Sequence, residues 1–182
     1  YFFFFFFFTG GKMKKTKPDQ SARIEQRRER ERKNLFSRMP ATYNASRLQA
    51  QRILRHAGGL SIVEWRVLWD LFEAGPMTIR DLAELQRTDH SLLSRALPAM
   101  RRKGFVEMDR DTADGRQVVI KLADAGREAY EFAAPIMKRR RDALDEVFSE
   151  EELDLFVDLL DRLEDYLRRP VDTIVERDIE ND

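Results

Sequence analysis

Between positions 91 and 102 the chain carries side chains whose types and spacing suit a nucleic-acid groove: Ser91, Leu92, Ser94, Arg95 and Arg102. Hydroxyls and guanidinium groups hydrogen-bond base edges and phosphate oxygens. An arginine can grip guanine through two bonds, and a leucine can touch a thymine methyl. Residues 87–103 hold five basic groups against one acidic group, so the segment is locally positive. Arg101, Arg102 and Lys103 have a plainer use as well, because cations suit a helix C-terminus. Further on, Arg110 and Arg116 flank an Asp114-Gly115 turn signal. A hairpin tip there would present a cation to a minor groove, braced by Asp111 or Asp114 through a charge-assisted bond. The plainer reading is an ordinary polar hairpin.

Other chemistries lack their residues. The 182-residue chain has no cysteine and two histidines, His56 and His90. That excludes a zinc–thiolate site, a thiol redox centre and a histidine-rich metal cluster. There is no glycine-rich phosphate loop, no Gly-x-Ser-x-Gly and no histidine paired with a carboxylate at useful spacing, so neither an enzyme nor a cofactor is expected. Charged residues reach 36% and mean hydropathy is −0.58. No run approaches the ~20 apolar residues of a membrane span. A cytoplasmic protein is the expectation; the missing cysteines do not locate the chain but are compatible with a reducing compartment.

The formal charge is zero, with 33 basic and 33 acidic residues, but the charges are segregated. Residues 12–60 hold 14 basic and 4 acidic side chains; residues 142–182 hold 4 and 16. Such polarity suggests an electrostatic partner for the basic part, or pairing of the two ends within a molecule or dimer.

These residues need elements to position them. A helix is predicted from Leu35 to about Ala57, ended by Gly58-Gly59. Ser61-x-x-Glu64 is a capping box before Trp65, Leu68, Trp69 and Phe72 at helical spacing, and Gly75-Pro76 stops that helix. Thr78-x-x-Asp81 opens another. A polar turn, Gln86-Arg87-Thr88, then leads to Asp89 as N-cap of a helix reaching Lys103. In that helix Leu93, Ala96, Leu97 and Met100 form a stripe to be buried, leaving Ser91, Arg95, Pro98 and Arg102 opposite. Two strands, Phe105–Met108 and Gln117–Leu122, make the hairpin. A long helical stretch runs from Ala123 to Val147 with a break or kink at Pro135, and Ser149-x-x-Glu152 caps a final helix that ends before Pro170. Helix, tight turn, helix and hairpin together are the layout of a winged helix-turn-helix.

At this point the sequence resembles the MarR family of winged-helix transcriptional regulators. The carrying residues are Leu60-Ser61-x-x-Glu64-Trp65-Arg66-Val67-Leu68, Met77-Thr78-Ile79-Arg80-Asp81-Leu82-Ala83, Asp89-His90-Ser91-Leu92-Leu93-Ser94-Arg95-Ala96-Leu97 and Arg102-Lys103-Gly104-Phe105-Val106. The wing Asp109-Arg110-Asp111-x-x-Asp114-Gly115-Arg116 and Leu122-x-x-x-Gly126 also match. The resemblance covers residues 35–167. It implies a mainly α fold with a small β-wing, a homodimer built on the N-terminal and two C-terminal helices, a palindromic double-stranded DNA operator and often a small anionic or phenolic effector. Pro98 departs from the family pattern, which usually has a polar residue there; it removes a backbone bond to the Ser94 carbonyl.

The expected organisation follows. Residues 1–12, with seven of the thirteen phenylalanines, read as a translation-start artefact, the alternative being an aggregation-prone tail or an anchor; residues 13–33 read as a basic disordered arm whose Arg/Glu alternation from Arg23 to Lys33 could extend a helix. Residues 34–168 form one domain: a DNA-binding lobe at 61–122 and dimerisation helices at 34–58 and 123–168. Residues 169–182 are a tail. A surplus apolar stripe on the last helix nominates Leu153, Phe156, Leu160 and Leu163 for the dimer interface. Tyr43, Arg47, His56, Trp65 and Trp69 are the candidate site for an aromatic carboxylate or phenolic effector, although tryptophans at that spacing also serve as core. The expected function is a sequence-specific repressor. The alternative is a winged helix that docks on a protein instead of DNA.

Overall fold

The computed structural model describes residues 19–110 and 117–172. The candidates Asp111, Asp114 and Arg116, the Asp114-Gly115 turn, the extension 1–12 and most of the C-terminal tail lie outside the described residues. Seven helices and three strands follow in order among them. They are α1 (Gln20–Lys33), α2 (Leu35–His56), α3 (Ile62–Ala74), β1 (Met77–Thr78), α4 (Ile79–Leu85), α5 (His90–Arg102), β2 (Val106–Arg110), β3 (Val118–Leu122), α6 (Asp124–Asp142) and α7 (Glu150–Leu167). Two compact units divide the chain between Leu48 and Gln49, within α2.

The first unit contains α1, where the polar composition had predicted no fixed structure. Asp19 caps the Gln20 N–H at 2.8 Å. Every glutamate of the helix meets a cation one turn away: Arg27 with Glu31, Arg28 with Glu25 at 3.4 Å, and Arg32 with Glu29 at 3.3 Å. No residue of α1 is buried. Local charge pairing therefore supports a helix that packing does not, and residues 20–33 of the expected disordered arm are helical.

The second unit holds the core. Leu54, Val67, Leu68, Leu82, Leu93, Leu97, Met100 and Ile120 are fully buried, with Trp65 at 4% exposure. The capping boxes at Ser61, Thr78 and Ser149 are all formed, each with reciprocal side-chain bonds. Asp89 sits at the α5 N-cap without a side-chain bond. The sheet has three strands in the order β1-β3-β2, all antiparallel. The two-residue β1, unread in the sequence, pairs Met77 with Ile120 and Thr78 with Val119. Strands this short carry no periodicity to detect.

Proline did not break the helices that contain it. Both α5 and α6 run through Pro98 and Pro135. The stretch after Ala123 ends at Asp142, five residues before the expected Val147, and turns follow. At Gly126 a Cβ would lie 2.0 Å from the Phe105 carbonyl oxygen, so only glycine lets α6 leave the sheet at this point.

Candidate nucleic-acid interface

The helix α5 presents two faces of opposite character. Leu93, Leu97 and Met100 are fully buried and Ala96 is partly so; Ser91, Leu92, Ser94, Arg95, Pro98 and Arg102 are exposed. The apolar stripe thus fixes which side chains face outward. Arg95 Nε donates to the Ser91 carbonyl at 3.1 Å, which lays the guanidinium along the helix. Ser94 Oγ donates to the His90 carbonyl at 3.0 Å and lies 3.1 Å from His90 Nδ1. The His90–Ser94 pair was missed in the sequence, where only its i, i+4 spacing hinted at it.

Two of the five cations between 87 and 103 are committed elsewhere. Lys103 Nζ binds Glu64 Oε1 at 2.6 Å, tying the end of α5 to the start of α3. Arg87 binds Asp161 and Glu164 of α7. Arg95 and Arg102 are in no ion pair among the described residues and remain for phosphate or base contact.

The turn before α5 is anchored by a network that the sequence did not reveal. Gln86 is buried, and its Nε2 donates to Asp70 Oδ2 at 2.6 Å. Its carbonyl accepts Arg66 Nη2 at 2.7 Å. Burial raises the Asp70 carboxyl above its ordinary value, against the lowering pull of the Gln86 bond and the Arg66 charge. These groups fix the entry angle of α5.

On the wing, Arg110 is exposed at the end of β2, opposite Val118. Lys121 Nζ binds Asp109 Oδ2 at 2.8 Å across the hairpin and holds that carboxyl below its usual range. The brace in the described part of the wing is this diagonal pair, and finding it needs the strand register.

The effector candidates fall in both units. Tyr43 and Arg47 are exposed on the first unit's part of α2; His56 is exposed in the second. Trp65 is a core residue, stacked on Tyr130 at 5.3 Å and 6.0 Å from Trp69. Phe72 meets Tyr130 at 4.3 Å, and the Arg141 guanidinium lies 5.0 Å over the Trp69 ring. The dimer candidates Leu153 and Leu163 are partly exposed, and Phe156 and Leu160 are 50% and 46% exposed.

The sequence pattern of the MarR family matches residues 60–118, which span α3 to the start of β3. The HTH-type transcriptional regulator FarR of Neisseria gonorrhoeae is 31% identical over 100 residues, which cover 55% of this chain and 68% of that protein. The chain belongs to the MarR family. Accordingly, this MarR protein is a winged-helix, DNA-binding transcriptional regulator and not an enzyme. Solved structures agree on the fold. A MarR/EmrR family regulator from Acinetobacter sp. ADP1 superposes with a TM-score of 0.65 at 24% identity, covering 72% of this chain and 93% of that one. A mutant MarR from E. coli complexed with operator DNA superposes at 0.58 with 21% identity, covering 71% and 98%. Among the described residues no helix is long and apolar enough to cross a membrane.

Proposed function

We propose that this MarR protein is a cytoplasmic repressor that binds a palindromic operator as a homodimer, one α5 per half-site and one wing beside it. The observation that carries the reading is the bare apolar face of α7. Phe156, Leu159 and Leu160 are about half exposed, and no residue of the helix is buried. A second copy of the chain would cover it, and a two-fold dimer matches a palindrome. Ser91, Leu92, Ser94, Arg95 and Arg102 would meet the major groove and its flanking phosphates, with Arg110 and Arg116 at the wing. The polar and basic character of this outward face favours DNA over a protein partner.

The effector belongs to the same reading. Trp69 offers a flat apolar wall with the Arg141 cation above it, which suits an aromatic carboxylate or phenol. Trp65 backs that wall from the core, and His56, in the same unit, is a further polar candidate. A ligand that favours one spacing of the two α5 helices shifts operator affinity by its differential binding, about 1–3 kcal/mol in typical cases.

The test is direct. Sedimentation at micromolar concentration should give about twice 21.5 kDa, and genomic fragments selected by the dimer should bind with a steep salt dependence. Arg95→Ala should cost about 1–3 kcal/mol per half-site and relax base preference. A monomer, or equal affinity for selected and random DNA, would refute the proposal. Calorimetry with benzoates, cinnamates and salicylate, with and without operator, tests the effector separately.

A further inference from the structure

Among the described residues three helix ends share a long closing bond that spans six residues, and one of them departs in residue type. After α2, Gly59 N–H donates to the Leu54 carbonyl, with Gly58 at φ 86°. After α5, Gly104 N–H donates to Arg101 and Phe105 N–H to Met100, with Gly104 at φ 71°. After α4, Arg87 N–H donates to Glu84 at 3.1 Å and Thr88 N–H to Ala83 at 3.0 Å, with Arg87 at φ 48°. This is the Schellman closure, whose left-handed residue is normally glycine. Arg87 is the one non-glycine residue at positive φ among the described residues. Left-handed backbone is costly for an L-residue and nearly free for glycine, so a side chain kept there needs a reason of its own.

Its guanidinium supplies one. Nη1 reaches Asp161 Oδ1 at 2.7 Å and Glu164 Oε2 at 2.9 Å, two carboxylates one turn apart on α7. The preceding residue, Gln86, is bonded to Asp70 on α3, and the helix that reads DNA begins at His90. Consecutive residues of a single turn therefore hold α3 on one side and α7 on the other, three residues before α5.

We infer that Arg87 is a positioning residue that couples α7 to the recognition helix, and so sets the half-site spacing the dimer accepts. This rests on the reading that α7 forms the dimer interface. If α7 is fixed against its copy, the fork on Arg87 limits how far each α5 can move from the two-fold axis. Operator half-sites demand one separation. Loosening the fork lets α5 sample others, which lowers affinity for the correct spacing and blunts rejection of wrong ones.

Arg87→Gly is the informative variant, because glycine suits the backbone there and removes the guanidinium. The probe is an operator selected from random-sequence DNA by the unmutated full chain, then re-spaced by one or two base pairs between half-sites. The dimer should persist, and thermal stability of the variant should be retained or raised. An exposed ion pair is worth up to about fivefold, and a dimer contains two forks. Affinity for the original spacing should therefore fall by up to roughly 25-fold, with a smaller fall on the re-spaced sites. The swap Arg87→Glu with Asp161→Arg and Glu164→Arg should restore spacing preference. Unchanged affinity and spacing preference in a dimeric Arg87→Gly protein would overturn the inference alone. So would an equal loss at every spacing with no rescue by the swap, which would make Arg87 a simple phosphate contact. A monomeric unmutated chain would overturn the dimer reading and this inference together.

Discussion

The helices α5 and α7 have similar sequence patterns and opposite fates. Each carries leucines at periods of three and four opposite a charged face. In α5 the leucines are spent inside the chain: Leu93 and Leu97 have no exposure. In α7 the stripe is left out, with Phe156 at 50% and Leu160 at 46%. The difference is in what surrounds them. The α5 stripe meets α3, α4 and the sheet, which close one core. By contrast, α7 follows a run of turns and touches the lobe through the charged fork at Arg87. An amphipathic pattern thus specifies that a face will be buried, and the remaining architecture specifies by whom. A face that its own chain does not cover points to an interface.

The sharpest way to break this comparison is to shorten one leucine on each helix. Leu97→Ala should cost about 2–5 kcal/mol, because it empties a close-packed site. Chemical denaturation should register that loss at every protein concentration. Leu160→Ala should leave the stability of the lobe within about 0.5 kcal/mol and weaken self-association by about 1–3 kcal/mol. Its melting temperature should fall below that of the unmutated dimer at micromolar concentration and converge with it at high dilution. If Leu160→Ala destabilised a dilute monomer as much as Leu97→Ala, α7 would belong to the core and the contrast would fail.

Much of the lobe was legible in advance because its signals are local. Capping boxes at Ser61, Thr78 and Ser149 need three residues of context, and all three formed. The buried stripe of α5 followed from period alone, and it dictated the outward set Ser91, Arg95 and Arg102. What escaped were relations between distant positions. The bond from Gln86 to Asp70 and the pair Lys121–Asp109 depend on how elements meet. The fork from Arg87 spans more than seventy residues. The helix through Pro98 was legible, whereas the break considered at Pro135 does not occur. Pro98 and Pro135 lie on exposed positions, where water can take up the freed carbonyl, so the helices continue through them. In α1 the Arg/Glu alternation from Arg23 to Lys33, which could extend a helix, prevails over the polar composition through i, i+3 and i, i+4 charge pairs.

A second contrast lies between the carboxylates of the two regions. Glu64 in the lobe has its side chain 9% exposed, whereas the α7 acids are exposed except for the partly covered Glu164. Burial pushes the Glu64 carboxyl upward, but the Lys103 bond, the Ser61 backbone and hydroxyl bonds and the Lys103 charge together hold it below its ordinary 4.5. The folded value is depressed, so its stabilisation is complete above the unfolded value and lost as pH falls through the folded one. Acid titration of the melting temperature should therefore show a decline beginning near pH 4.5. Glu64→Gln should remove that part of the decline and cost about 1 kcal/mol or less at neutral pH, since the half-exposed Lys103 ammonium returns to water. An unchanged acid limb in Glu64→Gln would mean that other carboxylates govern acid unfolding.

The smallest effect should separate the regions most cleanly. Ser61 and Ser149 make the same capping box, Ser61 on buried α3 and Ser149 on exposed α7. Alanine at either position removes a bond to the third residue of the helix, Glu64 N–H at 3.2 Å or Glu152 N–H at 3.3 Å. The intrinsic cost is about 1 kcal/mol in both cases. Ser61→Ala should subtract that amount from global unfolding, because α3 cannot fray without opening the core. Ser149→Ala should leave the lobe's unfolding midpoint unchanged. Its cost should appear instead as faster amide exchange in the first turn of α7 and as a dimer weakened by up to about fivefold. Equal loss of global stability in both variants would show that α7 folds as one unit with the lobe, and that its bare stripe does not mark a separate interface.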